Sequence, residues 1–331
     1  MNRLSVLLVA VALVAASCGN SSSPDAPPST LTTTSSPAST TAVQEETTTT
    51  AADPAFPVTV EAPNGPVTID ARPTRIVSIS PTSTEVLFAI GAGSEVVAVD
   101  SLSNHPTEAP LTELSAFSPS VEAIATFDPD LVFLSFDPNG DVIPGLEALG
   151  IAVILHPTAT DLADAFLQWE QTGAATGRSD EALALVRRVR QGIDDSLSAV
   201  PDSASDLTYY YELEPTYYSS TSSTFVGELL SGTMMTNIAD PADVDGFGYP
   251  QLAAEFIVGS DPDVILLADT KCCGQSAATV AERPGWDTVA AVRTGAIVEL
   301  DDDIASRWGP RIVVLVEDVV AAILALEAVD G

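Results

Sequence analysis

Short apolar runs alternating with helical patterns fill the chain from residue 58 to residue 326. Arg75-Ile76-Val77-Ser78-Ile79-Ser80 reads as a strand. Pro81-Thr82-Ser83-Thr84-Glu85 then opens a helix through a Ser/Thr cap and an acidic first turn. Val86, Leu87 and Ile90 give that helix an apolar face, and Gly91 and Gly93 stop it. Strands follow at 96–99, 131–134 and 152–155, with helices at 121–127 and 143–149. Apolar runs this short, alternating with helices, imply a parallel sheet covered on both faces. Residues 161–200 differ. Leu162, Phe166 and Trp169, then Ala182, Leu185, Val186, Val189, Ile193 and Leu197, keep a helical period, with a break suggested at Gly173 and Gly177. A helix approaching 20 residues spans ~30 Å, enough to brace two lobes. The second half repeats the first, with strands at 208–211, 264–267 and 296–299 and helices at 224–230, 253–258 and 310–326.

The repeat can be read residue by residue. Glu122 lies seven residues before Pro129-Asp130 and the run Leu131-Val132-Phe133-Leu134, and Glu255 lies seven before Pro262-Asp263 and Val264-Ile265-Leu266-Leu267. An isoleucine, Ile124 or Ile257, stands two residues after each glutamate. Asp-Pro-Asp before a strand is ordinary turn chemistry; the matched glutamates and isoleucines add more than that. The expected fold class is α/β: two Rossmann-like lobes with parallel sheets joined by a long interdomain helix, with a cleft between them. The expected divisions are 58–160 for the first lobe, 161–200 for the bracing helix and 201–331 for the second lobe.

The N-terminus changes the picture. Met1-Asn2-Arg3 precedes an apolar stretch over residues 4–16, broken only by Ser5. A mature membrane helix needs ~20 apolar residues, so this is the apolar region of a signal peptide over 1–17. The stretch runs into Val14-Ala15-Ala16-Ser17-Cys18-Gly19, which resembles a bacterial lipobox with Ala15 where leucine is commoner. It implies cleavage before Cys18 and lipidation of it; an ordinary secretory signal with a chance cysteine is the alternative. Several acyl chains would hold the protein on a bilayer, at the extracytoplasmic face of the cell membrane. Residues 19 to about 53 are mainly Ser, Thr, Pro and Ala, too polar to offset their ordering entropy. A disordered tether over 18–57 follows.

Charge and composition then narrow the function. The chain has 331 residues, 46 acids and 12 bases, for a formal net charge of −34. Such a surface repels phosphate backbones, which excludes nucleic acid as a partner. Lys271 is the only lysine. His105 and His156 are the only histidines and form no spaced ligand set, so neither a metal site nor a cofactor is expected. Three cysteines are too few for a disulfide framework, and the adjacent pair Cys272-Cys273 is open between a vicinal disulfide and two thiols. There is no Gly-x-Ser-x-Gly elbow, P-loop or zinc motif, so no enzyme is indicated. A glycosidase reading of Glu122 and Glu255 fails because the repeat puts them at equivalent outer positions.

Five stretches together carry a resemblance: residues 75–85, Pro129-Asp130-Leu131-Val132, Leu149-Gly150-Ile151, Pro262-Asp263-Val264-Ile265 and Pro310-Arg311-Ile312. In this order and spacing they are similar to the helical-backbone class of periplasmic binding proteins, over nearly all of residues 72–326. That class serves cobalamin and ferric-siderophore importers, and the cobalamin-binding type is the most similar. The resemblance implies ligand contacts at Asp303 and Arg307, in a stretch like the type's final loop and helix start, and Trp308 beside them is a further cleft candidate. It implies aromatic contacts at Tyr249, Phe117 and either Tyr217 or Tyr218, and a lip residue at His105. Every aromatic identity differs from the type, which leaves cobalamin, a ferric siderophore and haem open as ligands. Glu122 and Glu255 match the two glutamates that engage arginines on the permease. The implied partners are an ABC permease with its ATPase and a small-molecule ligand, and the protein itself is expected to be a monomer.

The residues support this independently. Two carboxylates at equivalent points of two lobes can meet two basic sockets, fixing register and on-rate more than affinity; each also suits a helix N-terminus. A large, flat, weakly charged ligand is held by aromatic faces and a few aimed polar groups. Core packing is the alternative for each aromatic, and an ion pair with Asp301, Asp302 or Asp303 is the alternative for Arg307. A tris-catecholate siderophore wants more bases than the second half offers. A surface adhesion or signalling module on the same fold is the remaining alternative.

Overall fold

The computed structural model describes residue 53 and residues 55–330, with side chains through residue 328. The expected signal peptide, Cys18 and most of the tether lie outside the described residues. The body opens with an antiparallel hairpin, β1 (Val58–Ala62) and β2 (Gly65–Ile69). Gly65 takes φ +106°, a conformation that favours glycine, directly after Pro63-Asn64.

The first lobe runs β3 (Ile76–Ile79), α1 (Pro81–Ala89), β4 (Val96–Asp100), β5 (Leu111–Leu114), α2 (Val121–Ala125), β6 (Leu131–Leu134), α3 (Val142–Glu147) and β7 (Ala152–Leu155). Its strands are parallel, in the order β5-β4-β3-β6-β7. Asn64 docks the hairpin on this sheet: its amide donates to the Val153 carbonyl and its side-chain oxygen accepts from Leu155 N–H, both at 3.0 Å. After α4 (Leu162–Thr176) and α5 (Ser179–Leu197), the second lobe begins with β8 (Thr208–Glu212), α6 (Phe225–Ser231), β9 (Thr236–Asn237), α7 (Ala254–Ser260) and β10 (Val264–Leu267). It continues with α8 (Thr270–Cys273), α9 (Ala277–Ala281), α10 (Ala290–Thr294), β11 (Ile297–Glu299), α11 (Asp302–Ala305) and α12 (Ile312–Asp330). These strands are also parallel, in the order β9-β8-β10-β11, which repeats β4-β3-β6-β7.

The repeated Asp-Pro-Asp does the same job in both halves. Asp128 and Asp261 take φ +49° and +47°. Asp130 Oδ2 accepts from the Thr74 N–H at 2.8 Å and its hydroxyl at 3.0 Å, and Asp263 Oδ2 accepts from the Thr208 N–H and hydroxyl, both at 2.9 Å. Each aspartate thereby ties the start of its own strand to the start of the neighbouring central strand.

Alternation along the strands explains their uninterrupted apolar runs. Ile76, Leu131 and Phe133 point into one shared core together with Tyr209, Tyr211, Val264 and Leu266. Val77, Ile79, Val132 and Leu134 point into an outer core of the first lobe, and Tyr210, Ile265 and Leu267 into an outer core of the second. Both sheets are therefore buried on both faces, as parallel sheets are.

The span read as one bracing helix is two helices. Gly177 ends α4 at φ +66°, and the Arg178 N–H returns to the Gly173 carbonyl at 2.7 Å, a left-handed helix stop. The chain then doubles back. Gly173 lets α5 approach, since a Cβ there would lie 2.4 Å from the Ala182 Cβ. In the pair, α4 packs on α1 and β1 while α5 packs on α12.

Candidate functional site

The strands of both sheets end at one cavity of about 690 Å³. The first lobe supplies Ser80, Pro81 and Thr82 beyond β3, Leu102 and Asn104 beyond β4, Ser135 and Phe136 beyond β6, and Thr158 beyond β7. The second supplies Lys271 and Cys272 beyond β10, and Asp302, Asp303, Ser306, Arg307 and Trp308 beyond β11. Carboxyl ends of parallel strands, where the strand order reverses, are where open α/β sheets bind ligands. Phe117 and Phe136 stand on the first-lobe side with 72% and 48% of their surface exposed.

A buried ion cluster joins the lobes behind this cavity. Glu85 on α1 is not the first-turn acid its sequence position suggests: it lies beyond the first turn, buried, and holds two arginines from across the cleft. Its carboxylate accepts from Arg307 at 3.0 Å and from Arg311 at 2.6 and 3.0 Å. Arg307, only 8% exposed, also donates to the Leu102 carbonyl at 2.8 Å, to Asn104 Oδ1 at 3.2 Å and to Asp303 at 2.6 Å. Burial alone would push the Asp303 carboxyl up, but hydrogen bonds from Lys271 and Asn104 and the Arg307 charge hold it below the usual range. Burial likewise opposes the charge on Lys271, which Asp301 and Asp303, at 2.5 and 2.9 Å, reverse into an upward shift. Lys271, Asp303 and Arg307 of the cavity wall are thus directed at one another.

A second buried cluster underlies the β10 loop. Arg283 grips Glu212 with two hydrogen bonds of 2.7 and 2.5 Å. Beside them, Asp269 is fully buried and its oxygens receive no donor among the described residues, and the Tyr210 hydroxyl is in the same condition. Burial first, and then the Glu212 charge, push the Asp269 carboxyl up to about 7. His156, on the first-lobe side, is buried against Ser83 and Gln171, and burial lowers it to about 4. It stays neutral and structural.

The structure brings some of the anticipated residues together and disperses others. Phe117, Asp303, Arg307 and Trp308 line the cavity. Trp308 is anchored there, its indole donating to Gln168 Oε1 at 2.8 Å while its carbonyl accepts from the Trp169 indole at 3.1 Å. His105 instead lines a separate groove with Phe88, Pro310 and Arg311. Tyr217 stacks on Trp286 at 5.8 Å with the Arg283 guanidinium 5.4 Å from its ring centre. Tyr218 pairs through its backbone with Gln251, and it and Tyr249 are partly exposed outside the lining set. Phe136, Lys271 and Cys272 were not anticipated as lining. Cys272 and Cys273 are joined as a vicinal disulfide.

Glu122 and Glu255 are exposed, each at the second position of its helix, α2 and α7. Each helix runs back to feed a parallel strand, α2 to β6 and α7 to β10. Among the described residues no helix is long and apolar enough to cross a membrane, and no cluster of three or more His, Cys, Asp or Glu could hold a metal.

The periplasmic binding protein family matches residues 76–304. A Bacillus subtilis ABC transporter substrate-binding lipoprotein, itself uncharacterised, is 30% identical over 277 residues, which are 81% of this chain and 86% of that one. A cobalamin-binding protein of Halobacterium salinarum is 30% identical over 269 residues, 78% of this chain and 72% of that one. The crystal structure of an ABC-type Fe3+-hydroxamate transport system from Saccharomonospora viridis aligns with a TM-score of 0.63 and 25% identity, covering 81% of this chain and 99% of that one.

Two expectations about stability follow. Glu85→Ala strands the buried Arg307 and the half-buried Arg311 guanidinium groups and should cost ~3 kcal/mol, read as a lower denaturation midpoint. Asp269 binds its proton more tightly folded (about 7) than at the ordinary 3.8. Its contribution is therefore fully present below about pH 4 and is lost as pH rises through 7. Asp269→Asn should be more stable than the parent at pH 8, and the difference should vanish toward pH 4; equal stabilities at pH 8 would contradict the assignment.

Proposed function

The chain belongs to the periplasmic binding protein family, as an ABC-type solute-binding protein rather than an enzyme, and we propose that its cleft captures cobalamin or a related corrinoid for the permease. One observation carries the reading: Lys271, Asp303 and Arg307 on the wall are paired with one another and Asp302 is taken up by backbone donors, while Phe117 and Phe136 stand exposed in the lining. Such a cleft suits a broad apolar ligand of low net charge, and about 690 Å³ falls within the ordinary range for small-molecule sites. A tris-catecholate iron complex would need uncommitted bases. Haem iron takes an axial His, Tyr, Met or thiolate. Among the described lining residues none is His, Tyr or Met, and Cys272 is in a disulfide. A corrinoid can bring its own axial groups. The likeness to the Halobacterium cobalamin-binding protein supports the same choice. A ferric hydroxamate of low charge meets the electrostatic requirement too, and the Saccharomonospora likeness favours testing it alongside.

In this reading Phe117, Phe136 and Trp308 cover the ligand's faces, and Asp303 and Arg307 shape the polar wall. Cys18 carries lipid and holds the protein at the extracytoplasmic face of the membrane, and Glu122 and Glu255 meet basic sockets of the permease.

Tryptophan fluorescence of the full chain, titrated with cyanocobalamin, cobinamide, haem and a ferric hydroxamate, should give micromolar or tighter binding for a corrinoid. Binding of haem alone would overturn the ligand assignment. Glu122→Arg with Glu255→Arg should abolish uptake in cells while leaving corrinoid affinity unchanged; a loss of affinity in that double variant would contradict the docking role.

A further inference from the structure

The loop after β10 enters the cleft with its backbone held by the loop after β11. Asp302 Oδ1 accepts from the Thr270 N–H and hydroxyl, both at 2.8 Å, and Oδ2 accepts from the N–H groups of Lys271 at 2.9 Å and Cys272 at 2.7 Å. This clasp fixes α8 and sets Cys272, bonded to Cys273, on the cavity surface. The neighbouring groups on that wall are occupied elsewhere: Lys271 by Asp301 and Asp303, Arg307 by Glu85 and Asp303, and Asp302 by the clasp itself. The less polar residues this wall offers are therefore Cys272 and Trp308. Phe117 and Phe136 line the same cavity from the opposite lobe.

We propose that the Cys272–Cys273 disulfide is a ligand-contact element of the cleft, an apolar sulfur ledge that is lost when the bond is reduced. The inference rests on the cleft being the ligand site, whichever small molecule fills it. Joining adjacent side chains removes their rotamer freedom before the ligand arrives, so the contact forms without an ordering cost. Reduction by a dithiol such as dithiothreitol breaks the S–S bond, puts one proton on each sulfur and turns the reagent into its own cyclic disulfide. Two rotatable thiols, weak hydrogen-bond donors, then replace a fixed apolar edge. Outside the cytoplasm the oxidised form persists.

The test uses the full chain, oxidised and dithiothreitol-treated, with the redox state read by mass. Each form is titrated with cyanocobalamin, cobinamide, haem and a ferric hydroxamate, and the rate of reduction is measured with and without the bound ligand. Reduction should weaken the ligand that binds by ~10-fold, and saturating ligand should slow reduction. Cys272→Ser with Cys273→Ser should match the reduced parent and ignore dithiothreitol, with its thermal midpoint checking that it folds. If a hydroxamate rather than a corrinoid shows this pattern, the corrinoid reading falls and the ledge stands. Equal affinities in both redox states, with no protection by ligand, would overturn the ledge and leave the cleft reading intact. Tighter corrinoid binding on reduction, with shifted absorption bands, would also overturn it by making a thiol a cobalt ligand. If no form binds any of the four, both proposals fall.

Discussion

The carboxylate of Glu85 is the point on which the arrangement of the two halves depends. It rises from the first helix of one lobe and is buried between Arg307 and Arg311, which lead into the closing helix of the other. An apolar triad could bury comparable surface, and buried ion pairs are poor sources of net stability. Ions do, however, have directions that methyl groups lack. Arg307 turns its remaining donors on the Leu102 carbonyl and on Asn104, so a single guanidinium sets the distance between the loop after β4 and the loop after β11. Those two loops form much of the cleft wall.

The packing of the helices reinforces this. The inner faces of both sheets share one continuous core with α4, α5 and α12, filled by Phe166, Trp169, Leu185, Val189, Val316 and Ile323. Separating the lobes would expose residues of that core, so the cleft is built as a fixed mould. Adjustment to a ligand falls to the exposed lip side chains, Phe117 and Phe136 on one side and Lys271 on the other.

Much of the fold was legible because double-sided burial writes itself locally, as runs such as Leu131-Val132-Phe133-Leu134, and because the Asp-Pro-Asp clasp recurs with its strand. Features set by distant partners were not legible. Glu85 obeys a local rule for helix starts, and nothing in its neighbourhood announces an arginine 222 residues away. Tyr217 shows the same limit: it stacks on Trp286, a packing partner that no spacing reveals, while Phe117 and Trp308 line the cavity. Gly173 and Gly177 did signal a break, but not that the helices would fold against each other. The opening hairpin had its Pro63-Asn64-Gly65 turn in plain view. Cys272-Cys273 follows a second-lobe strand whose loop resembles ones that approach the cleft, and the fold puts Cys272 in the lining.

Lys271 is the single lysine of the chain, and its side chain lines the cleft, half-exposed. Every other described base is an arginine, which does not react with common amine reagents. Acylating chemistry aimed at lysine is therefore confined to one internal address, at the ligand's doorstep. A dye or crosslinker attached there would report occupancy directly, a property that follows from the chain's lopsided composition more than from any feature of the binding surface.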